Sequence, residues 1–488
     1  MKQTLSGSSR GFLTRMELFH SEPPLPCRIA RPGRAAWAVL AALGLFCLVS
    51  YCYTDLPLIV RHSLNLWQAL GRGELFRFYQ TATLLRVGQT HPQTGEVPYD
   101  IWVYLLLAVW NLPVYVWELL SGKTLEMSFL ALLWARLGLM LPFAGCFWAL
   151  RGIAAALGRS PRQAEWACFG FAGSLFLLNG LFCIGQIDIF SVFFTLMGLR
   201  EYLRRSTAGF IGWFALVVTF KMFGLFAFLP LLLLAEKRPL YIVGHTLAGC
   251  SLSLVSKLLF FRDKMATPTQ FDERRFLRFL LAGRIETGSH IFSVTVLLFG
   301  ALLLFCWLAR PSSGAQPDWA VWAMLAGYAC MFLGGTTYPY WAVVLAPCAG
   351  LLLLVRPAQA DGILLLELAA SAGYWVYSLM RYSAVYGVTF NLQWMLIGRL
   401  FGASLTENRI QTLLAALSAG AWDNLQMLAN SALLLGLGGL LVLAWPGRLT
   451  DVRARGEEES GVSVVVVWLR VGAAVFFGLL AAAACLLP

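Results

Sequence analysis

Apolar runs alternate with short polar turns along almost the whole chain. Many approach the roughly 20 residues that a helix needs to cross a bilayer. The pattern predicts spans near residues 35–53, 127–150, 164–184, 187–199, 209–220, 222–235, 240–261, 291–309, 319–333, 340–355, 363–380, 421–445 and 462–487. Several are short, so 187–199 and the pair around Lys221 must borrow flanking residues or lie buried among other helices. Hydrocarbon offers the backbone no water partner, so the runs read as helices and the chain as an all-α polytopic membrane protein.

The stretch 101–120 is apolar enough to span, but Asn111-Leu112-Pro113 interrupts it and Trp117-Glu118 closes it. Orientation arbitrates. If it does not cross, the short loops holding Arg151/Arg159/Arg162, Arg200/Arg204/Arg205, Lys237/Arg238, Arg310, Arg356 and Arg448/Arg453/Arg455 share a side with the basic N-terminal tail. Crossing would set those loops opposite that tail, against the tendency of Lys and Arg to stay cytoplasmic. The expected topology is therefore about 13 transmembrane helices plus outer-face juxtamembrane helices, with the N-terminus cytoplasmic and the C-terminus outside. Residues 1–34 form the tail, 35–380 the main transmembrane region with outer loops 54–126 and 262–290, and 381–488 an outer loop plus the last helices.

Composition agrees: 59% of the 488 residues are hydrophobic and 13% charged, too little charge to cover a soluble multidomain protein. The net charge of +12 sits in short loops between apolar runs, where it reads as an orientation signal rather than as a nucleic-acid surface. The 11 cysteines lie mostly inside apolar runs, without CxxC or Cys/His spacing, which supports neither a disulfide framework nor a zinc site. The first run lacks a small-residue cleavage site and reads as a retained anchor, and no retention signal ends the chain at Leu487-Pro488. A bacterial plasma membrane is the expected location.

On this topology the outer face collects the unusual chemistry. Asp55 follows the first run, Gly185-Gln186-Ile187-Asp188 opens a later one, and Lys221 lies between Thr219-Phe220 and Met222-Phe223-Gly224 with apolar neighbours on both sides. Either acid could simply cap a helix. Lys221 could snorkel to the nearer interface, yet a charge held in such a stretch costs about 2.5–3.5 kcal/mol and calls for an anionic partner or ligand. Arg274, Arg275, Arg278 and Arg284, with Phe276, Leu277, Phe279 and Leu280 between them, have the spacing of an amphipathic helix on phospholipid headgroups.

Two acids, a lysine and an apolar surround suit a ligand with a phosphate and a long hydrocarbon tail. A carboxylate can act as general base toward an acceptor hydroxyl, and a cation can stabilise a departing phosphate. No Gly-rich phosphate loop or sizeable cytoplasmic domain suggests direct use of a nucleotide sugar.

The outer Asp after the first span, the Gly-Gln-x-Asp turn, Leu199-Arg200-Glu201-Tyr202, Thr219-Phe220-Lys221 and Leu229-Pro230-Leu231-Leu232-Leu233-Leu234 before Glu236-Lys237-Arg238 together resemble the GT-C superfamily, nearest to its mannosyltransferase-type enzymes that use polyprenyl-phosphate sugars. Tyr338-Pro339-Tyr340-Trp341 extends the likeness. The resemblance implies a GT-C-like fold and an inverting glycosyltransferase that moves a sugar from a polyprenyl-phosphate carrier to a glycan, lipid or protein acceptor at the outer face. In it Asp55 is the base and Asp188 the second acid, while Lys221, Arg61, Gln186, Tyr338 and Tyr340 attend the donor phosphate. No tight acidic pair surrounds Asp55, which leaves the divalent metal of some members an open question and no cofactor assigned. A transporter or flippase of lipid-linked saccharides is the alternative, although it should spread polar groups along a path through the bilayer.

Overall fold

The computed structural model describes residues 27–53, 55–84, 97–125, 128–266, 280–335, 337–381, 395, 396, 400, 421–447 and 461–486. It is mostly helical. In chain order the helices used below are α1 (Arg34–Ser50), α2 (Asp55–Gly71), α3 (Phe78–Leu84), α4 (Ile101–Trp110), α5 (Leu112–Ser121), α6 (Phe129–Ala156), α7 (Pro161–Ala172), α8 (Asp188–Leu203), α9 (Thr207–Phe220), α10 (Leu225–Ala235), α11 (Pro239–Gly249), α12 (Ser251–Leu259), α13 (Val294–Leu308), α14 (Gln316–Gly334), α15 (Ala346–Val355), α16 (Ala360–Arg381), α17 (Trp422–Leu443) and α18 (Val464–Leu486).

Three helices, Phe129–Ala156, Pro357–Met380 and Asp423–Leu443, are long and apolar enough to cross a bilayer, or up to six if each of three bent pairs counts as one span. Six further apolar helices have only 10–17 residues. Among the described residues the thirteen expected runs are thus not thirteen helices of spanning length. Breaks explain the difference. The run 164–184 bends by 46° between α7 and Leu175–Ile184, where Gly173 and Ser174 interrupt the ladder, and the run 240–261 bends by 55° at Cys250. The basic helix face also changes: Arg274, Arg275 and Arg278 lie outside the described residues, while Arg284 opens a strand, Arg284–Thr287, paired antiparallel with His290–Ser293. The Gly288 turn, at φ +60°, closes that hairpin.

Polar contacts sort the helix ends onto two faces. On one, the short strand Arg28–Ile29 pairs with Val462–Ser463, the Arg28 guanidinium reaches Asp361 Oδ2 at 2.8 Å, and the Ser463 N–H donates to Asp361 Oδ1 at 2.8 Å. Trp166 Nε1 donates to the Ala30 carbonyl, so α7 starts beside α1. Arg356 joins Asp318 and the Trp445 carbonyl on that side. On the opposite face lie the far end of α1, the start of α8 and the end of α9. There the Tyr51 hydroxyl donates to Gly478 O of α18.

This sorting places α4 and α5. Helix α1 leaves the first face and ends at Tyr51, and Arg136 of α6 binds the Tyr51 carbonyl. Helix α6 then runs back to Ala156, next to α7. The chain between Tyr51 and Ser128 therefore starts and finishes on the face opposite the starts of α7 and α16. Helices α4 and α5 meet at Asn111 with a bend of 66°. Trp67 Nε1 on the Ala108 carbonyl, Asn111 Nδ2 on Ser63 Oγ, and the Arg61–Glu118 fork tie them along α2.

Deep in the bundle the Glu367 carboxylate of α16 meets Arg470 of α18, both almost fully buried. Ser174 Oγ donates to Glu367 at 2.6 Å, and Arg470 also binds the Gly170 and Leu364 carbonyls, so one ion pair joins three segments. Desolvation is offset only while both charges and their hydrogen bonds are present.

Two outcomes test this arrangement. A single cysteine at Lys123 should label from outside sealed, right-side-out vesicles and one at Arg204 only from the cytoplasmic side; position 123 cytoplasmic with 204 external would refute the re-entrant placement of α4 and α5. Glu367→Gln should cost about 3–5 kcal/mol, read as a lower thermal midpoint in detergent, because it leaves Arg470 buried and unpaired.

Candidate active site

The first acid-bearing segment follows α1. Helix α1 ends at Tyr51 in extended backbone, and Asp55 begins α2. A carboxylate in a first helical turn is favoured by the unpaired N–H groups and dipole there. Here it also accepts a 2.8 Å hydrogen bond from Gln186 Nε2, and the Tyr340 hydroxyl bonds it as well. The cap alternative is thus incomplete: Asp55 is bonded across 131 residues of sequence.

Gln186 and Asp188 come from a second break. After α7 the chain continues through Leu175–Leu177 into a π-helical turn, Leu178–Ile184, closed by Gly185 at φ +78°. That left-handed conformation requires glycine. It turns the chain so that Gln186 faces Asp55 while Asp188 opens α8. A Cβ added to Gly180 would lie 2.9 Å from Val343 Cβ and 3.0 Å from the Tyr340 carbonyl oxygen, so the π turn sits directly against the Tyr340 segment. π turns are uncommon and gather at functional sites.

The third break is at Lys221. Helix α9 ends at Phe220, Lys221 is extended (φ −152°, ψ 119°), and a 3₁₀ turn, Met222–Gly224, leads into α10. Lys221 Nζ lies 3.0 Å from Asp188 Oδ1, and the carboxylate is fully buried. Four rings surround the ammonium: Tyr99 at 4.9 Å from centroid, Phe223 at 5.8 Å, Tyr340 at 5.9 Å and Trp341 at 5.9 Å. A cation near π faces in an apolar site gains about 0.5–2 kcal/mol per good contact. Lys221 is held by a carboxylate and by aromatic faces rather than snorkelling to solvent.

The structure therefore brings Asp55, Gln186, Asp188, Lys221 and Tyr340 into one cluster. Tyr338 stacks on Tyr340 with ring centroids 5.7 Å apart and planes at 15°, and its side chain is exposed. Arg61 belongs to a neighbouring cluster, where its guanidinium forks onto Glu118 at 2.7 and 3.2 Å and Glu118 also accepts from the Leu125 N–H. Tyr99, Phe223 and the buried Arg136 were not singled out from the sequence. The signal for Arg136 was present, because an arginine inside an apolar run is a functional candidate by default. Among the described residues no group of three or more His, Cys, Asp or Glu side chains could hold a metal ion.

Burial pushes the Asp55 carboxyl up to about 6 from its ordinary 3.8, with Gln186 and Lys221 pulling the other way. Asp55 lies at the start of α2, outside the spanning runs. A folded pKa above the unfolded one means that the fold favours the protonated acid. The associated destabilisation is full above about pH 6 and is relieved as pH falls toward 3.8. Infrared difference spectra should accordingly show a protonated-carboxyl band titrating near pH 6 and missing in Asp55→Asn; a band titrating near pH 4 would contradict this environment. No protein-family model matches this chain and no curated protein matches it, so the chemistry of the cluster rests on its own residues.

Proposed function

We propose that the protein is an integral-membrane, inverting glycosyltransferase with a GT-C-like architecture, which moves a sugar from a polyprenyl-phosphate carrier to an acceptor at the outer face. The observation that carries this reading is the convergence, where three helical runs break, of a hydrogen-bonded carboxylate, Asp55, and a caged lysine, Lys221, paired with a second acid. Each break carries a charged side chain next to an apolar run, an expense a purely structural bundle has no use for. In this reading the shorter apolar helices, buried among neighbours, serve as further spans beside the three to six of spanning length.

In this mechanism Asp55, oriented by Gln186 and Tyr340, takes the proton of the acceptor hydroxyl. The hydroxyl oxygen bonds to the anomeric carbon as the carbon–oxygen bond to phosphate breaks on the opposite side, which inverts the configuration and releases polyprenyl phosphate. Lys221 has three N–H donors, of which Asp188 engages one. The others stabilise the departing phosphate while Asp188 fixes the ammonium. Tyr99, Tyr340 and Trp341 offer ring faces to the sugar, and the exposed Tyr338 lines the entry. Membrane lipid solvates the isoprenoid tail. No step uses a nucleic acid, and the two carboxylates act without an assigned metal.

Asp55→Asn keeps the shape and the hydrogen-bonding capacity but removes the base, and it should lower turnover by about 10²- to 10⁴-fold. Asn caps a helix about as well as Asp, so a cap role predicts near-normal rates. Transfer within about tenfold of the parent would refute the base assignment. Lys221→Met should weaken donor binding, measured with polyprenyl-phosphate sugar in detergent; unchanged binding would remove Lys221 from the phosphate.

A further inference from the structure

Arg136 is fully buried within α6, yet among the described residues no carboxylate pairs with it. Its guanidinium is used on main chain: Nη1 donates to the Tyr51 carbonyl, and Nη2 to the carbonyls of Phe182 and, at 3.3 Å, Leu181. The contrast with Arg470 is instructive, since that arginine, equally buried, has the Glu367 carboxylate against it. A guanidinium bonded to carbonyls alone, with its Nε left unpartnered, bears its desolvation cost without a counter-charge. The position must return something for it.

The carbonyls it holds are the clue. Tyr51 ends the first span four residues before Asp55, and Phe182 lies in the π turn four residues before Gln186. The two segments meet again at the Gln186–Asp55 hydrogen bond. Arg136, Tyr51, Asp55, Gln186 and Phe182 thus form a closed ring of contacts, fastened at one end by the guanidinium and at the other by the site. An ideal Cβ on Gly185 would lie 3.5 Å from the Arg136 guanidinium carbon, so the left-handed glycine passes directly over the clamp. A planar fork can reach carbonyls of two separate segments, whereas a lysine presents one compact point.

We infer that Arg136 is a positioning residue, clamping the two segments that carry Asp55 and Gln186 so that the base is held in the orientation transfer requires. It does not touch ligand, because it is shut away behind Gly185. The kinetic part of this inference rests on the glycosyltransferase reading; the geometric part does not.

The test has two arms. In the first, Asp55→Cys and Gln186→Cys are combined, and the disulfide between positions 55 and 186 is followed by mass spectrometry during mild oxidation. Adding Arg136→Met or Arg136→Lys should slow its formation by about tenfold in molecules that remain folded by thermal melting, since the clamp sets the approach of the two positions. Arg136→Lys keeps the charge and decides the matter if the Met variant does not fold. In the second arm, Arg136→Lys alone should lower kcat by about 10²-fold with the donor KM within about threefold, the signature of a misplaced base. Unchanged cross-linking in a folded Lys variant overturns the inference, as does an unchanged kcat. Slowed cross-linking in a protein that transfers no sugar would keep the clamp and sink the transferase reading.

Discussion

An ammonium and a carboxylate 3.0 Å apart, with the carboxylate removed from solvent, constrain everything around them. Lys221 and Asp188 could not be buried singly, since an unpaired charge in such a place costs several kcal/mol. Their pairing requires α9 to stop in extended backbone at Lys221 and α8 to begin at Asp188, so that two helix ends meet. Aromatic side chains from three further segments close around the ammonium. The local architecture of breaks follows from keeping that pair together.

The same economy governs Asp55. Its helix, the π turn and the Tyr338–Trp341 segment each reach the cluster from a different part of the chain, and each contributes at least one polar or aromatic group. On the far face the arginines behave differently: Arg28 and Arg356 bind carboxylates and carbonyls that staple helix ends together. The acid–lysine cluster and the stapling arginines thus lie toward the two ends of the bundle, with the Glu367–Arg470 pair fastening the middle.

Much of this could be read from the sequence, for definite reasons. Lys221 and Asp188 stood out because charge inside an apolar run is costly, and that cost is visible in residue types alone. The break inside 101–120 was legible from Asn111-Leu112-Pro113, where the two helices meet at 66°. The other helix breaks were not: hydropathy averages over a window and does not register a π turn or the stop at Cys250. The place of Arg61 beside the cluster rather than in it was not legible, because its partner, Glu118, is 57 residues away and only folding shows the fork. Arg136 was passed over because the carbonyls it holds have no signature in sequence. Arg284 was grouped with a helical pattern, but the Gly288 turn and the β-branched and aromatic residues flanking it favour a hairpin.

The central claim is that the cluster transfers a sugar from a lipid phosphate. Its most direct test is purified protein in lipid nanodiscs, given a panel of polyprenyl-phosphate sugars with labelled sugar and simple acceptor glycosides, with the product's anomeric configuration read by NMR. The account predicts transfer from at least one donor with inverted configuration and release of polyprenyl phosphate. Transfer with retained configuration would contradict it, as would lipid-linked saccharide crossing the bilayer of sealed vesicles with no glycosidic bond formed from any donor in the panel.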